Sequence, residues 1–418
     1  MSNFWRTAAQ LASGTVVSQV IILLMMPVLT RVLGPASFGG LALFSSTYAV
    51  LAGFLTMKYE QSILLPKDDA VASALTALTV QLSSVLSGML LFAMAIAATS
   101  GLLPIYWLCL PICTLLIAIH SSTQQWSARL RDYRAYSSSL ILGAGVNSVM
   151  CIVLALVFGD SPVTLVLAFT CGLLASVGYM LARQRVGFEL IRVAGRAHWQ
   201  RLARLARQYC EFPIHVLPTS LAIGAASYGP ALVIGAVYPL STTGFYAIAT
   251  KFVLLPGLLL GGALSEAFRA EFMGRIRDHS KLADFTRAFL VKIALSAVPT
   301  CIFLALLAPW AFGIVFGSEY KYSGVLVRFV ALGALGMLIA QPFQCVFVGL
   351  RRSGLGLVIQ LTLAAVPLLL LYLVALSQPI EQALLWHSSS VLMLSLLTAV
   401  VAWQLTVEAD RQASDTHE

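Results

Sequence analysis

The sequence predicts an all-α integral membrane protein of about twelve transmembrane helices, built as two pseudo-symmetric bundles of about six with both termini cytoplasmic. Three observations predict it: a composition no soluble core needs, apolar runs of bilayer-crossing length, and basic residues confined almost wholly to alternate loops. Of 418 residues, 59% are hydrophobic and 10% charged, and mean hydropathy is +0.89. Soluble domains are roughly 45–50% apolar and about 25% charged. The 17 acidic and 26 basic residues fall in short clusters. Between them lie apolar runs of about 18 to 26 residues, enough to cross a core of roughly 30 Å at about 1.5 Å per residue.

In chain order the expected spans are 11–30, 38–57, 71–97, 104–123, 138–158 and 162–182, then 212–237, 244–264, 288–308, 324–347, 355–376 and 383–405. The first contains Pro27 and is followed by no small-residue cleavage site, so it reads as a retained helix rather than a removed leader. Orientation follows from Lys and Arg, which cytoplasmic loops retain. With the N-terminus inside, the outer loops keep only Arg31, Lys321 and Arg328, which places both termini in the cytoplasm. The longest inner loop separates an N-terminal bundle, 1–182, from a C-terminal bundle, 212–418, through a basic linker, 183–211. In that linker Trp199, Leu202, Leu205, Ala206 and Tyr209 share one helical arc and Arg201, Arg204 and Arg207 another, the pattern of an interfacial helix with its apolar face in lipid. A solvated connector fits the same residues. Two short matches support a duplication: Gly39, Leu41, Ala42 and Leu43 against Gly244, Tyr246, Ala247 and Ile248, and Arg129 to Arg134 against Arg351 and Arg352.

Candidate functional residues come from what a bilayer penalises. Proline inside a span frees a backbone carbonyl and bends the helix; Pro27, Pro213, Pro218, Pro230 and Pro256 are the candidate hinges, three of them in span seven. A lysine at a helix centre costs about 2.5–3.5 kcal/mol on insertion scales, so Lys251, within YAIATKFVLLPG, reads as facing an aqueous cavity. Arg31 and Arg328 at span ends and His215, one turn after Glu211, join it as candidate substrate contacts. No Asp or Glu lies mid-span. A cavity with positive charge alone suits an anion, such as a lipid pyrophosphate, better than a cation carried against protons.

Other patterns read as structure. Cys109, Cys113 and His120 share a helix face but lack an acidic partner, so they read as packing rather than a metal site. His387 beside Ser388, Ser389 and Ser390 lacks the acid and oxyanion groups of a nucleophile triad. The seven cysteines show no disulfide spacing. No phosphate loop, zinc spacing or nucleic-acid motif occurs, so no cofactor, metal or nucleic acid is expected, and the net charge of +9 is a topology signal. A glycan polymerase or ligase would need a large outer loop for its catalytic groups; every expected outer loop is short. The chain is therefore read as no enzyme.

TRVLGPASFGGLALF from Thr30 resembles the signature of bacterial Wzx-type polysaccharide flippases, a branch of the multidrug, oligosaccharidyl-lipid and polysaccharide exporter superfamily. KYEQSILLPKDD from Lys58, WSARLRDYRAYS from Trp126, FPIHVLPTSL from Phe212, GFYAIATKFVLLPGLLLGGALSEAF from Gly244 and FGSEYKYSGVLVRF from Phe316 are similar in the same order along nearly the whole chain. Lys58 stands where many relatives have Arg, and Tyr320 where they often have Trp. The resemblance implies a multi-pass protein of the bacterial inner membrane that turns an undecaprenyl-pyrophosphate-linked oligosaccharide repeat unit to the periplasmic leaflet by alternating access. It would serve lipopolysaccharide O-antigen, capsule or exopolysaccharide synthesis, with membrane lipids, a polysaccharide polymerase and a chain-length regulator as partners. Lys251 and Arg31 would contact the pyrophosphate, and Arg328 and His215 the sugar or the gate. The alternative from the same superfamily is a MATE-like multidrug or small-solute antiporter.

Overall fold

In the computed structural model the described residues, 2–184, 196–256, 262–277 and 281–415, are almost wholly helical, with no strand among them. The helices are α1 (Ser2–Leu29), α2 (Pro35–Leu55), α3 (Asp69–Thr99), α4 (Cys109–Leu130), α5 (Tyr133–Phe158), α6 (Pro162–Gln184) and α7 (Arg196–Gln208). After a π-helical turn at Phe212–Val216 follow α8 (Leu217–Val237), α9 (Leu240–Pro256), α10 (Gly262–Arg277), α11 (Leu282–Val315), α12 (Lys321–Gly349), α13 (Ser353–Ala375) and α14 (Ile380–Asp415). Among described residues ten helices are long and apolar enough to cross a membrane, and Gly14–Leu29 of α1 is a shorter apolar helix. They lie at eleven of the twelve expected spans, and the 17-residue α9 covers part of the eighth.

Of expected span eight, 244–264, α9 carries the part up to Pro256 and α10 the part from Gly262; 257–261 lie outside the described residues. α10 packs Phe268 and Phe272, 1% and 0% exposed, onto Phe343 and Phe347 of α12.

Local chemistry sets the helix ends. Pro35 and Pro162 occupy first-turn positions, where the missing N–H costs nothing. Asp68 accepts from Ala70 N at 2.9 Å and Asp132 from Ala135 N at 3.2 Å, capping α3 and α5. In the C-terminal half the cap of α11 comes from far along the chain: Asp410 accepts from Leu282 N and Ala283 N, both at 2.9 Å.

The chain divides into two compact units, Met1–Gly224 and Ala225–Glu418. Within the first, α3 packs on α4, α4 on α2 and α6, and α5 on α6; within the second, α11 packs on α12, α12 on α9 and α14, and α13 on α14. The same pairings recur in the same chain order. Turns repeat as well. Arg131 after α4 and Arg351 after α12 both adopt φ 57°. Each turn is closed by nested bonds: Arg131 N to Ala128 O and Asp132 N to Ser127 O, against Arg351 N to Val348 O and Arg352 N to Phe347 O. At the opposite end of the first unit, Asp160 in the α5–α6 turn accepts from Gly34 N at 3.0 Å in the α1–α2 turn and from Ser37 Oγ at 2.6 Å in the first turn of α2. The second unit ties its corresponding turns by Tyr238 Oη donating to Gln378 O at 2.7 Å. Replacing Asp160 by alanine removes both bonds of an exposed acceptor and is expected to cost about 1 kcal/mol. Asp160→Asn, which keeps an acceptor oxygen, should lose less; equal thermal midpoints for Asp160→Ala and wild type would show that the tie contributes nothing.

The linker helix α7 forms as the arginine and leucine arcs predict, but its apolar face is not left for lipid. Leu202 and Leu205, 2% and 7% exposed, are buried against Tyr59, Ile63, Ala72 and Leu75 of the first unit. Tyr59 Oη donates to Ala206 O at 3.0 Å. Burial, and secondarily the Cys210 thiol, push the Tyr59 phenol above its usual range, so it stays a donor. Arg129 secures the surface beneath: its guanidinium donates to Ile63 O, Pro66 O and Lys67 O and pairs with Asp69 at 2.6 Å. The rest of the linker, 185–195, lies outside the described residues.

Candidate functional site

The second unit holds a small recess of about 80 Å³, well below the roughly 300–1,000 Å³ common for small-molecule sites. Its walls follow from helical spacing. Tyr246, Thr250 and Leu254 recur every fourth residue on α9, Val330, Gly333, Ala334 and Met337 form one stripe of α12, and Leu384, His387, Ser388 and Val391 one stripe of α14. α8 adds Ala226, Ser227 and Pro230. Room comes from small residues: a Cβ on Gly333 would meet Ser388 Oγ at 3.2 Å.

Among the described residues no charged side chain lines this cavity, and its polar groups are few. Thr250 Oγ1 donates to Tyr246 O at 2.8 Å and keeps its lone pairs. His387 is 9% exposed, and Ser390 Oγ donates to its backbone oxygen at 2.7 Å, but its imidazole makes no hydrogen bond to another described residue. Pro230 carries no N–H, so the carbonyl of Ala226, four residues earlier, lacks its helical donor. Ala226 and His387 thus line one recess, where an unpaired polar group costs about 1–3 kcal/mol.

The sequence-derived candidates divide between the units. Lys251 is the residue after Thr250 and lies exposed beside the cavity stripe, five residues before α9 ends at Pro256. Pro230 is buried and lines the cavity. Arg328 does not join them: two residues before Val330, it turns about 200° away around α12 and donates from Nε to Ala305 O at 3.3 Å. That carbonyl is the one Pro309 leaves without a donor in α11. Arg31 is exposed in the turn after α1, and Pro27 lies inside α1. His215 and Pro213 belong to the exposed π-helical turn before α8, and Pro218 is the second residue of α8. Pro256 ends α9. Sequence reasoning passed over Thr250, used Tyr246 only as a repeat match, and set His387 and Ser388 aside because they lack the partners of a catalytic triad. The spacing of Tyr246, Thr250 and Leu254 was the available signal, but without the facing helices it marks only a helix side.

Residues 28–324, well over half of the chain, match the model of a family described as "Polysaccharide biosynthesis protein". The chain belongs to this family. Its match begins just before the Gly34–Asp160 turn and ends at Gly324 of α12, so it takes in both α9 and the linker. No curated protein matches the sequence. Solved structures share the fold at low identity. An inward-facing multidrug resistance MATE family transporter of the MOP superfamily superposes with TM-score 0.69 at 14% identity, covering 96% of each chain. The outward-facing conformation of such a transporter gives 0.59 at 14%, covering 98% of this chain and 96% of that one. The MATE transporter ClbM in complex with Rb+ gives 0.55 at 13%, covering 98% and 97%. This family member thus has a MATE-like fold, with ten helices among its described residues long and apolar enough to cross a membrane.

Proposed function

We propose that the protein is a flippase that carries an undecaprenyl-pyrophosphate-linked oligosaccharide repeat unit across the bacterial inner membrane for surface polysaccharide synthesis. The observation that carries this reading is Lys251, a cation exposed on an apolar helix in a family of polysaccharide biosynthesis proteins. Lys251 and Arg31 are the pyrophosphate contacts in this reading, and both termini face the cytoplasm. Arg328, bonded to a proline-bent helix, suits gating better than sugar contact, and exposed His215 suits the inner mouth. The polyprenyl tail remains in lipid.

The test is which leaflet holds the precursor. Deleting the gene should remove one surface polysaccharide and leave its lipid-linked precursor in the cytoplasmic leaflet; a polymerase or ligase mutant would show it in the periplasmic leaflet. Growth should be poor and should improve when the first sugar-transferring enzyme is also removed. Normal surface glycan, with no second flippase gene, would overturn the reading. The MATE-like fold supports a second reading, a multidrug or small-solute antiporter. Its deletion would leave glycan normal and change sensitivity to toxic compounds.

A further inference from the structure

We infer that the outward face of the linker helix α7 is a docking surface for anionic phospholipid headgroups, which hold the helix against the end of the first unit. This surface is independent of the cargo. At about 100° per residue, Leu202, Leu205, Ala206 and Tyr209 share an arc of about 100°, and the protein itself covers that arc. Arg204 and Arg207 stand within about 30° of the direction opposite it, and both are exposed. Arg201, on the flank, donates from its guanidinium to Ala70 O at 3.3 Å. Among the described residues none of the three arginines is ion-paired. The carboxylates at this end are engaged elsewhere: Glu60 with Lys58 at 3.8 Å, Asp69 with Arg129 at 2.6 Å, and Asp68 as the cap of α3. Glu211, exposed beyond the end of α7, pairs with none of the three. Like charges three residues apart on a helix repel, so this face lacks a counter-charge that an anionic surface would supply.

Two observations make the partner a lipid surface and not an acidic protein. The first is depth. Ala70 is the second residue of α3, which is long and apolar enough to cross a membrane, and Leu202 and Leu205 are buried beside Ala72 and Leu75 of its next turns. The arginines therefore lie where α3 enters the bilayer, at headgroup level. The second is the apolar surface around them. Leu64 and Leu65, 46% and 63% exposed, lie at the end of the 3₁₀ turn Tyr59–Leu64, which packs on α7. Lys67 is exposed two residues further on, and Trp199 is 46% exposed at the start of α7. Leucines beside lysine and arginine, with an indole among them, meet acyl chains and phosphates together; an acidic peptide supplies the charge alone. Each basic residue held at an anionic membrane surface tightens the association roughly fivefold.

The experiment follows hydrogen–deuterium exchange of the purified full-length protein in nanodiscs of phosphatidylcholine alone and of phosphatidylcholine mixed with phosphatidylglycerol, matched in acyl chains. Backbone amides of 200–208 are expected to exchange more slowly in the anionic discs, by up to roughly twenty-five-fold, a factor of about five for each of Arg204 and Arg207. Salt at about 1 M, which shortens screening to about 3 Å, should remove the difference. Arg204→Gln with Arg207→Gln should exchange alike in both discs. Arg204→Lys with Arg207→Lys should keep most of the slowing, because an anionic surface reads the charge and not the guanidinium fork. Arg287→Gln with Arg352→Gln removes two exposed charges from the second unit and should leave α7 protected. Thermal midpoints in phosphatidylcholine check that each variant is folded; if the double glutamine variant is not, Arg207→Gln alone, expected to lose about fivefold, takes its place. Equal exchange of 200–208 in the two discs for wild type would overturn the lipid surface, and is the outcome expected if the face docks an acidic protein segment instead. Slowing that persists when Arg204 and Arg207 are glutamine would overturn it as well, and so would an equal loss in the second-unit control.

Discussion

Replacing Gly324 by leucine is expected to prevent the second unit from forming. A Cβ at that position would stand 2.5 Å from the Ala308 carbonyl oxygen and 2.7 Å from Pro309 Cα. Both are backbone atoms of α11, which packs along α12, so no rotamer change can make room. Overpacking a core ordinarily costs about 1–3 kcal/mol when side chains can yield; here the helices themselves would have to separate, and with them the Arg328 bond to Ala305 O. The measurement is the yield and monodispersity of a fluorescent fusion in mild detergent. Gly354→Ala is the control, since nothing lies within 4 Å of a Cβ there. A Gly324→Leu protein as abundant and monodisperse as wild type would refute the close approach of α11 and α12.

Lys251→Ala is expected to abolish glycan export while leaving protein level and folding unchanged. Removing a charge from an apolar helix relieves a burden of about 2.5–3.5 kcal/mol on insertion scales, and the thermal midpoint of the variant, measured beside export, separates lost function from lost stability. Loss of a charge-assisted bond of about 1.5–3 kcal/mol predicts roughly tenfold to hundredfold weaker handling of a pyrophosphate. Lys251→Arg should retain much of the activity, because the positive charge persists on the same face. Full complementation of a deletion strain by Lys251→Ala would reduce this lysine to a residue whose ammonium reaches the lipid headgroups.

Most of the fold was legible because hydropathy and the placement of arginine are properties of single segments. Span lengths, the amphipathic linker and the paired basic turns at Arg131 and Arg351 all follow from local sequence. The docking of α7 was not legible: an apolar arc fits a lipid surface and a protein surface equally, and only the tertiary partners Tyr59, Ile63 and Leu75 decide between them. Arg328 shows the same limit. Its charge marked it as a candidate, while its hydrogen bond to a proline-freed carbonyl gives it structural work that no spacing rule reveals. The cavity is the least legible feature, because it needs stripes from four helices that lie apart in the sequence, from Ala226 to Val391.

The two turn-to-turn ties have a consequence for how the halves have diverged. Asp160 gathers an amide and a hydroxyl onto a carboxylate, whereas Tyr238 reaches a main-chain oxygen with its phenol. If both halves descend from one ancestral gene segment, the place of the fastening has outlasted the residues that make it. Alignment of the two halves by residue identity would then find little at these turns, although the chain paths correspond. It also follows that transplanting either fastening into the other half should fail unless both turns are exchanged together, because the acceptor in one is a side chain and in the other the backbone.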